Sequence, residues 1–380
     1  MTICFFSAQY LPTVGGVERY TWNLAKRTAS AGHHAIVVTS ALPDLPGHET
    51  DADGIEIYRL PVWPVMNGRF PVPKPGKAFA PLSKALWAES IDLCVIQTRM
   101  YVESIWAARF AHKKGIRAIV IDHSTGYMPV GGGLVGALGR WYEHAACAII
   151  RRTGPAFYGV SSAVCGWLST FGITPAGMLP NAVDPAALDA TLREAPPKDW
   201  RQTLALTPDT RLIAYVGRLI PEKGAAELAE AVAGLATENT ALVIAGDGPL
   251  LDALRGHAAP NVFCPGALPY TETLQLLCQA DVYCLPTRYA EGFPTTLLEA
   301  AACHCAIVCS RTAGTAELLP GPGYGLLLDS TAPEAIRTAL RQMLGDDPLR
   351  HACAEAAYQN LCDHFTWGAV FAKILNIASS

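Results

Sequence analysis

The chain has 380 residues, with 29 Lys and Arg against 33 Asp and Glu, a formal net charge of −4 and 51% hydrophobic residues. At roughly 100–200 residues per domain this is material for two or three domains with sizeable cores. An apolar chain with only 16% charged residues is not disordered. Its 33 Gly and 28 Pro, scattered without a period, are not collagen-like, and the overall charge is not that of a nucleic-acid binder.

In chain order, ICFFSA (residues 3–8) predicts a strand and residues 17–30 a helix. HAIVVTS (34–40) and GIEIYRL (54–60) predict two more strands. LCVIQT (93–98) precedes a helix ending near Lys114, and RAIVID (117–122) precedes a loop and another helix. Short apolar runs bounded by turn residues and alternating with helices indicate parallel sheets covered on both faces. After residue 181 the pattern restarts. RLIAYVGR (211–218), TALVIAGDG (240–248), NVFCPG (261–266), DVYCLP (281–286), CAIVCS (305–310) and YGLLLD (324–329) read as strands. Helices are expected over 225–236, 249–257, 271–279, 295–303 and 315–319, with an aromatic-rich one over 365–377. LPNAVDPAAL (179–188) reads as the linker. The expected fold is α/β with two Rossmann-like, doubly wound domains facing a cleft: residues 1–181, and residues 182–362 followed by a helix at about 363–380.

Charge is uneven. Residues 1–181 hold 16 Lys and Arg against 11 Asp and Glu, net +5, and the remainder is net −9. A basic front half is drawn to anionic surfaces. The 12 Cys have no framework spacing. Cys4, Cys94, Cys147, Cys165, Cys284 and Cys309 lie in apolar runs and read as buried free thiols in a reducing cytosol. Cys303-His304-Cys305 lacks a second ligand pair at zinc spacing. The N-terminus has neither the basic lead nor the small-residue cleavage site of a signal peptide. No run of about 18 apolar residues predicts a membrane span.

Four segments carry chemistry. Gly15 and Gly16 end the loop after the first strand and open a helix, where free amides attract phosphate and glycine lets a ligand approach the backbone; an ordinary glycine turn is the plainer reading. Arg218 and Lys223 sit in the loop after a strand that ends in Gly217. Arg218 can fork onto phosphate oxygens and Lys223 can supply a point charge; solvated surface cations are the alternative. Glu291 and Glu299 flank Gly292-Phe293-Pro294-Thr295, the start of a helix with almost no other polar residue. Glu299 is costly to bury without partners, and sugar or ribose hydroxyls are suitable donors to it; a helix-dipole role for Glu291 and a structural Arg partner for Glu299 are the alternatives. His123 follows a strand end and is either a cleft group or a satisfied structural histidine.

Three other signals are set aside. Gly131-x-Gly133-x-x-Gly136 matches a dinucleotide fingerprint by letter but lies nine residues past its strand, behind Pro129, and reads as a mobile loop. Asp51-Ala52-Asp53, an aspartate pair of the kind that binds metal in some sugar transferases, precedes Gly54 and reads as a turn. His33-His34 has no ligand partner nearby in sequence.

Together these segments resemble glycosyltransferase family 4, retaining enzymes of the GT-B fold. The resemblance runs along nearly the whole chain, in GGVERYTWNLAKRTASAGHHAIVVTS, YGVSSAV, LPNAVD, YVGRLIPEKG, IAGDGPL, EGFPTTLLE and TAGTAELL. It implies Gly15 and Gly16 against a donor diphosphate, Arg218 and Lys223 clamping that diphosphate, and Glu291 on donor-sugar hydroxyls. It places Glu299 on the ribose, Gly266, Ala267 and Leu268 beside the base, and His123 near the donor sugar and acceptor. Gly292, Phe293, Pro294 and Thr295 complete the donor site, and the last helix is expected to pack back on the front domain. The implied reaction moves a hexose-type sugar from a nucleoside-diphosphate sugar with retention. Arg218, Lys223 and helix N-termini replace a metal in stabilising the leaving diphosphate, so neither cofactor nor metal is expected.

The acceptor is expected to be a lipid-linked glycan or a lipopolysaccharide or cell-surface polysaccharide precursor. Val62-Trp63-Pro64-Val65-Met66, followed by Arg69, Lys74 and Lys77, suits contact with an anionic membrane surface. The expected location is therefore cytoplasmic, peripheral on the inner face of the membrane, with no nucleic-acid partner. Two alternatives share the fold. A nucleotide-sugar epimerase needs a set of acid and base carboxylates that the sequence does not display. A non-catalytic subunit of a glycosylation complex would bind nucleotide sugar without turnover.

Overall fold

A computed structural model describes every residue except Val14, Pro129, Val130, Gly132, His257, Ala258, Ala290, Glu291, Ala313 and Ser380. The chain forms two compact units, Met1–Asn181 with Trp367–Ser380, and Ala182–Thr366. The second unit thus ends at Thr366, where the sequence reading put the boundary at 362.

The strands of the first unit are β1 (Thr2–Phe6), β2 (His34–Ser40), β3 (His48–Thr50), β4 (Glu56–Leu60), β5 (Val62–Val65), β6 (Phe70–Pro73), β7 (Leu93–Gln97), β8 (Arg117–Asp122), β9 (Ala156–Gly159) and β10 (Gly177–Met178). Its helices are α1 (Gly16–Ser30), α2 (Phe79–Ala88), α3 (Val102–Lys114), α4 (Gly133–Arg151) and α5 (Ser162–Ser169). Eight strands form one sheet in the order β10-β9-β8-β7-β1-β2-β4-β3. It is parallel throughout except at the β3–β4 edge. The central strands are apolar on both faces, as helices on both sides require: Ile3 to Phe6, Ala35 to Val38 and Leu93 to Ile96 are all buried.

The Pro-rich stretch after Leu60, given no element above, forms a separate ribbon: β5 and β6 pair antiparallel, with Val62 opposite Pro73 and Val65 opposite Phe70. Proline survives there because a two-stranded ribbon leaves outward N–H positions unpaired. The stretch expected as a mobile glycine loop is different, because Gly133 and Gly136 lie in the first turns of α4. Gly136 is buried where a Cβ would meet the Gly131 carbonyl at 2.5 Å, so glycine serves close packing of that turn.

The second unit contains α6 (Pro185–Glu194), α7 (Trp200–Thr203), β11 (Arg211–Val216), α8 (Ala225–Ala233), β12 (Thr240–Ala245), α9 (Leu251–Gly256), β13 (Val262–Gly266), α10 (Tyr270–Gln279) and β14 (Val282–Leu285). It continues with α11 (Thr295–Ala302), β15 (Ala306–Ser310), α12 (Thr315–Leu318), β16 (Leu326–Leu328), α13 (Pro333–Gly345) and α14 (Asp347–His364). Its six parallel strands run β13-β12-β11-β14-β15-β16, the order of a dinucleotide-type doubly wound sheet. Strand order reverses between β11 and β14, the place where such sheets bind ligands beyond the strands' carboxyl ends.

The last helix, α15 (Trp367–Ser379), belongs to the first unit. It buries Trp367, Val370, Phe371 and Ile374, with Trp367 edge-on to Tyr20 of α1 at 5.2 Å. All 12 cysteines are free. Cys4, Cys94, Cys147, Cys284 and Cys309 are buried, and Cys165 is half-buried. Among the described residues no helix is long and apolar enough to cross a membrane.

Candidate active site

In the second unit the loop after β11 is held by backbone pairing to its neighbours. Gly217 N donates to Ala245 O at 3.0 Å, Leu219 N to Asp247 O at 2.8 Å, and Leu250 N to Leu219 O at 3.1 Å. This approach requires glycine. Gly246 has φ +154°, and a Cβ there would meet the Gly217 carbonyl at 1.8 Å. The loop then makes a single 3₁₀ turn, Pro221–Lys223, ended by left-handed Gly224. Arg288, from the loop after β14, fastens that turn: its N–H donates to Glu222 O at 2.7 Å and its guanidinium to Pro221 O at 3.2 Å and Glu227 at 2.7 Å.

Two cations result at the β11/β14 switch point. Arg218 is exposed, whereas Lys223 is buried. Both lie over one ring, with the Arg218 guanidinium carbon 5.0 Å and the Lys223 Nζ 5.5 Å from the centre of Tyr289. Burial, with the Arg218 charge beside it, pulls the Lys223 ammonium down to about 8. Arg218 also lines a hollow of about 250 Å³ with Val216, Asp247, Ala267, Leu268 and Thr273. The structure therefore joins Arg218, Ala267 and Leu268, some fifty residues apart in sequence, at one site, with Gly266 closing β13 beside them.

The loop after β14 leads into α11. The Tyr283 hydroxyl lies 2.8 Å from Thr296 Oγ1 and 3.3 Å from the Val216 carbonyl, which ties the start of α11 to the end of β11. Phe293 is buried edge-on to Phe365 at 5.4 Å. Pro294 caps α11 and Thr295 opens it. Gly292 precedes them, half-buried. Glu299 is buried one turn further along; burial raises the pKa of the Tyr283 phenol, and the Glu299 charge adds a smaller push in the same direction. Glu291 lies outside the described residues.

In the first unit the reversal falls between β1 and β7. Gly15 caps α1 in extended conformation and Gly16 is its first residue. The space a Gly16 side chain would occupy is open, whereas one on Gly15 would meet Glu18 Oε2 at 2.3 Å. The Glu18 carboxylate thus folds back onto the helix start, and burial raises its pKa. His123 follows β8, with Nε2 2.8 Å from Gln97 Oε1 and its ring edge-on to Tyr20 at 4.8 Å. Burial lowers the imidazole to about 3, so it is neutral at pH 7. Beneath it is a fully buried charge trio. Arg99 donates to Asp122 at 2.5 Å and to Glu143 at 2.9 Å. Asp122 in turn accepts from His123 N, and Glu143 from Met128 N. The trio fixes both ends of the 123–128 loop.

Sequence reasoning missed Tyr289, Gln97 and the Arg99 trio. An aromatic two residues before Glu291 was the available signal for Tyr289. The side chain of Asp51 accepts from Asp53 N and Ile55 N, both at 2.9 Å, which is the expected turn. His34 does have partners, from distant sequence: one ligand atom each of His34, Glu56 and Glu89 lie within 4.8 Å of one another. That cluster is at the starting ends of β2 and β4, opposite His123. Among the described residues, Cys303-His304-Cys305 forms no such group.

Solved structures share this architecture over the whole chain. Sucrose-phosphate synthase from Thermosynechococcus elongatus aligns with TM-score 0.75 at 18% identity, covering 100% of this chain and 98% of that one. Anabaena HepE in complex with UDP aligns with TM-score 0.74 at 16% identity, covering 100% of both. The fold is GT-B. Residues 14–187 match the family model Glycosyltransferase Family 4, and residues 197–360 match Glycosyl transferases group 1. The chain belongs to the family 4 glycosyltransferases. Among curated relatives, the phosphatidylinositol N-acetylglucosaminyltransferase GPI3 subunit of Saccharomyces cerevisiae (strain YJM789) is 23% identical over 320 residues, 82% of this chain and 68% of that protein.

Proposed function

We propose that this glycosyltransferase moves a hexose-type sugar from a nucleoside-diphosphate sugar to a lipid-linked glycan or polysaccharide precursor, with retention and without a divalent metal. The observation that carries the reading is the pairing of Arg218 and Lys223 on Tyr289, at the switch point and beside the hollow lined by Ala267 and Leu268. As the bond from the anomeric carbon to the phosphate oxygen breaks, charge gathers on the departing diphosphate. Two fixed cations in a partly dry site stabilise that charge more than they stabilise the bound donor. Gly266, Ala267 and Leu268 are assigned to the base and Glu299 to the ribose. Glu291, with the segment Gly292 to Thr295, is assigned to the donor sugar. Gly15, Gly16 and His123 are the first unit's contributions to donor and acceptor. The UDP bound by HepE supports a nucleotide donor, and the lipid named in the GPI3 relative supports a lipid acceptor. A peripheral position at the cytoplasmic face of the membrane completes the reading.

The test is thermal shift of the pure protein against UDP-, GDP- and ADP-sugars, with Mg²⁺ and with chelator. A ligand that binds only the folded state raises the melting temperature. One base giving a shift that is lost in Arg218→Ala and indifferent to chelator is the expected result. No shift with any nucleotide sugar overturns the site.

A further inference from the structure

Helix α4 is apolar on two opposite faces. Gly136, Glu143, Cys147 and Ile150 turn inward and are buried. Leu134, Leu138 and Trp141 follow at i, i+4 and i+7, so at 3.6 residues per turn they form a stripe about half a turn round from the buried one. These three are 77%, 58% and 72% exposed, and Val135 beside them is 59% exposed. A soluble helix normally carries polar residues there. Single exposed leucines need no explanation, but a contiguous stripe ending in Trp does.

The β5–β6 ribbon extends this surface. Phe70 packs edge-on against Tyr142 of α4 at 5.8 Å, and the ribbon presents exposed Trp63, Val65 and Met66. Cations accompany the apolar groups: Arg69, Lys74, Lys77 and Arg140 are all exposed. Residues 61–88 and 124–142 contain no Asp or Glu at all. The only nearby acid of α4, Glu143, is buried on Arg99.

We propose that the outer face of α4, with the β5–β6 ribbon, docks on an anionic lipid bilayer, the apolar stripe entering the headgroup boundary and the four cations meeting lipid phosphates. The reading rests on the lipid-linked acceptor proposed above and names the element that meets the membrane. Apolar burial supplies the attachment, Trp suits the interface, and cations without intervening acids supply the preference for anionic lipid. A soluble peptide or a second copy of the chain offers no reason for an acid-free rim.

Flotation of the full chain with phosphatidylcholine vesicles, with and without phosphatidylglycerol, tests this. The wild type is expected to float with the anionic vesicles, less so as salt screens the cations. The pair Leu134→Asn and Leu138→Asn should weaken partition more than about tenfold while leaving the melting temperature unchanged, because both positions are exposed. Lys74→Gln with Lys77→Gln should weaken it about fivefold per charge. Equal flotation of the Asn pair and wild type overturns the proposal, as does failure of the folded wild type to float. A wild-type dimer in sedimentation velocity that the Asn pair abolishes also overturns it, in favour of an interface between copies. Neither donor nor acceptor is present in this assay. Protein that floats but shows no nucleotide-sugar shift therefore counts against the transferase site alone.

Discussion

The guanidinium carbon of Arg218 sits 5.0 Å from the ring centre of Tyr289, although 70 positions separate them in the chain. The ring also carries Lys223, so one aromatic side chain offsets part of the repulsion between two like charges. Tyr289→Phe should keep nucleoside-diphosphate affinity. Tyr289→Leu should lose about 0.5–2 kcal/mol of it, the range of a cation–π contact from exposed to desolvated. Calorimetric titration of the two variants with UDP and GDP checks this.

Lys223 predicts a pH dependence. Its ammonium titrates near 8, below its ordinary value, through burial and the Arg218 charge. It is therefore charged below pH 8 and increasingly neutral above. Diphosphate affinity should fall as pH rises from about 7 to 9.5. Lys223→Arg, which stays protonated across that window, should flatten the decline. Affinity that is constant with pH in the wild type would remove Lys223 from the diphosphate.

His123 predicts the opposite kind of profile. An imidazole held near 3 has no proton to lose between pH 5 and 8. Transfer rates should show no limb near the ordinary histidine value of about 6.5. Gln97→Leu, which removes the partner of Nε2, should lower kcat through misplacement of the ring and leave donor affinity intact. Measuring kcat against pH in both proteins separates these effects.

The Arg99 trio is structural. Arg99→Met leaves Asp122 and Glu143 buried without their cation. Breaking a buried ion group in this way costs about 3–5 kcal/mol, which urea unfolding would register directly.

Glycine at 246 is a packing requirement. Gly246→Ala forces a methyl against the Gly217 carbonyl and should displace the Arg218 loop, lowering both stability and nucleotide affinity. Gly256→Ala, where open space surrounds the added carbon, is the matched control and should be neutral or mildly stabilising, by up to about 1 kcal/mol.

The parallel strands were readable because a strand buried on both faces is a short apolar run, as in Ile3 to Phe6 or Ala241 to Ala245. The loops that carry Gly16, Arg218 and Lys223 were readable because glycines mark strand ends. What escaped depended on distance or on ambiguous residues. Prolines 64, 71 and 73 mask a strand signal, so no element was assigned there, yet they occupy ladder positions of β5–β6. Glycines 133 and 136 read as loop, yet Leu134, Ala137 and Leu138 carry the turn as helix. No element was assigned between 330 and 364, although Ile336, Leu340, Met343 and Leu344 of α13 hold a helical stripe. Tyr289 and Gln97 gain meaning only from partners far away in the chain.

The return of α15 to the first unit sets an order of events during synthesis. Trp367 against Tyr20, Arg117 against the Ile377 carbonyl, and Phe371 beside His33 join residues made near the start to residues made more than 200 positions later. The second unit is one uninterrupted stretch, Ala182–Thr366, and can fold as soon as it leaves the ribosome. The first unit must hold a bare patch over α1 and the start of β8 throughout that interval. A chain truncated after Thr366 and released should therefore carry a finished second unit and a protease-sensitive first one, the reverse of the order in which they were translated.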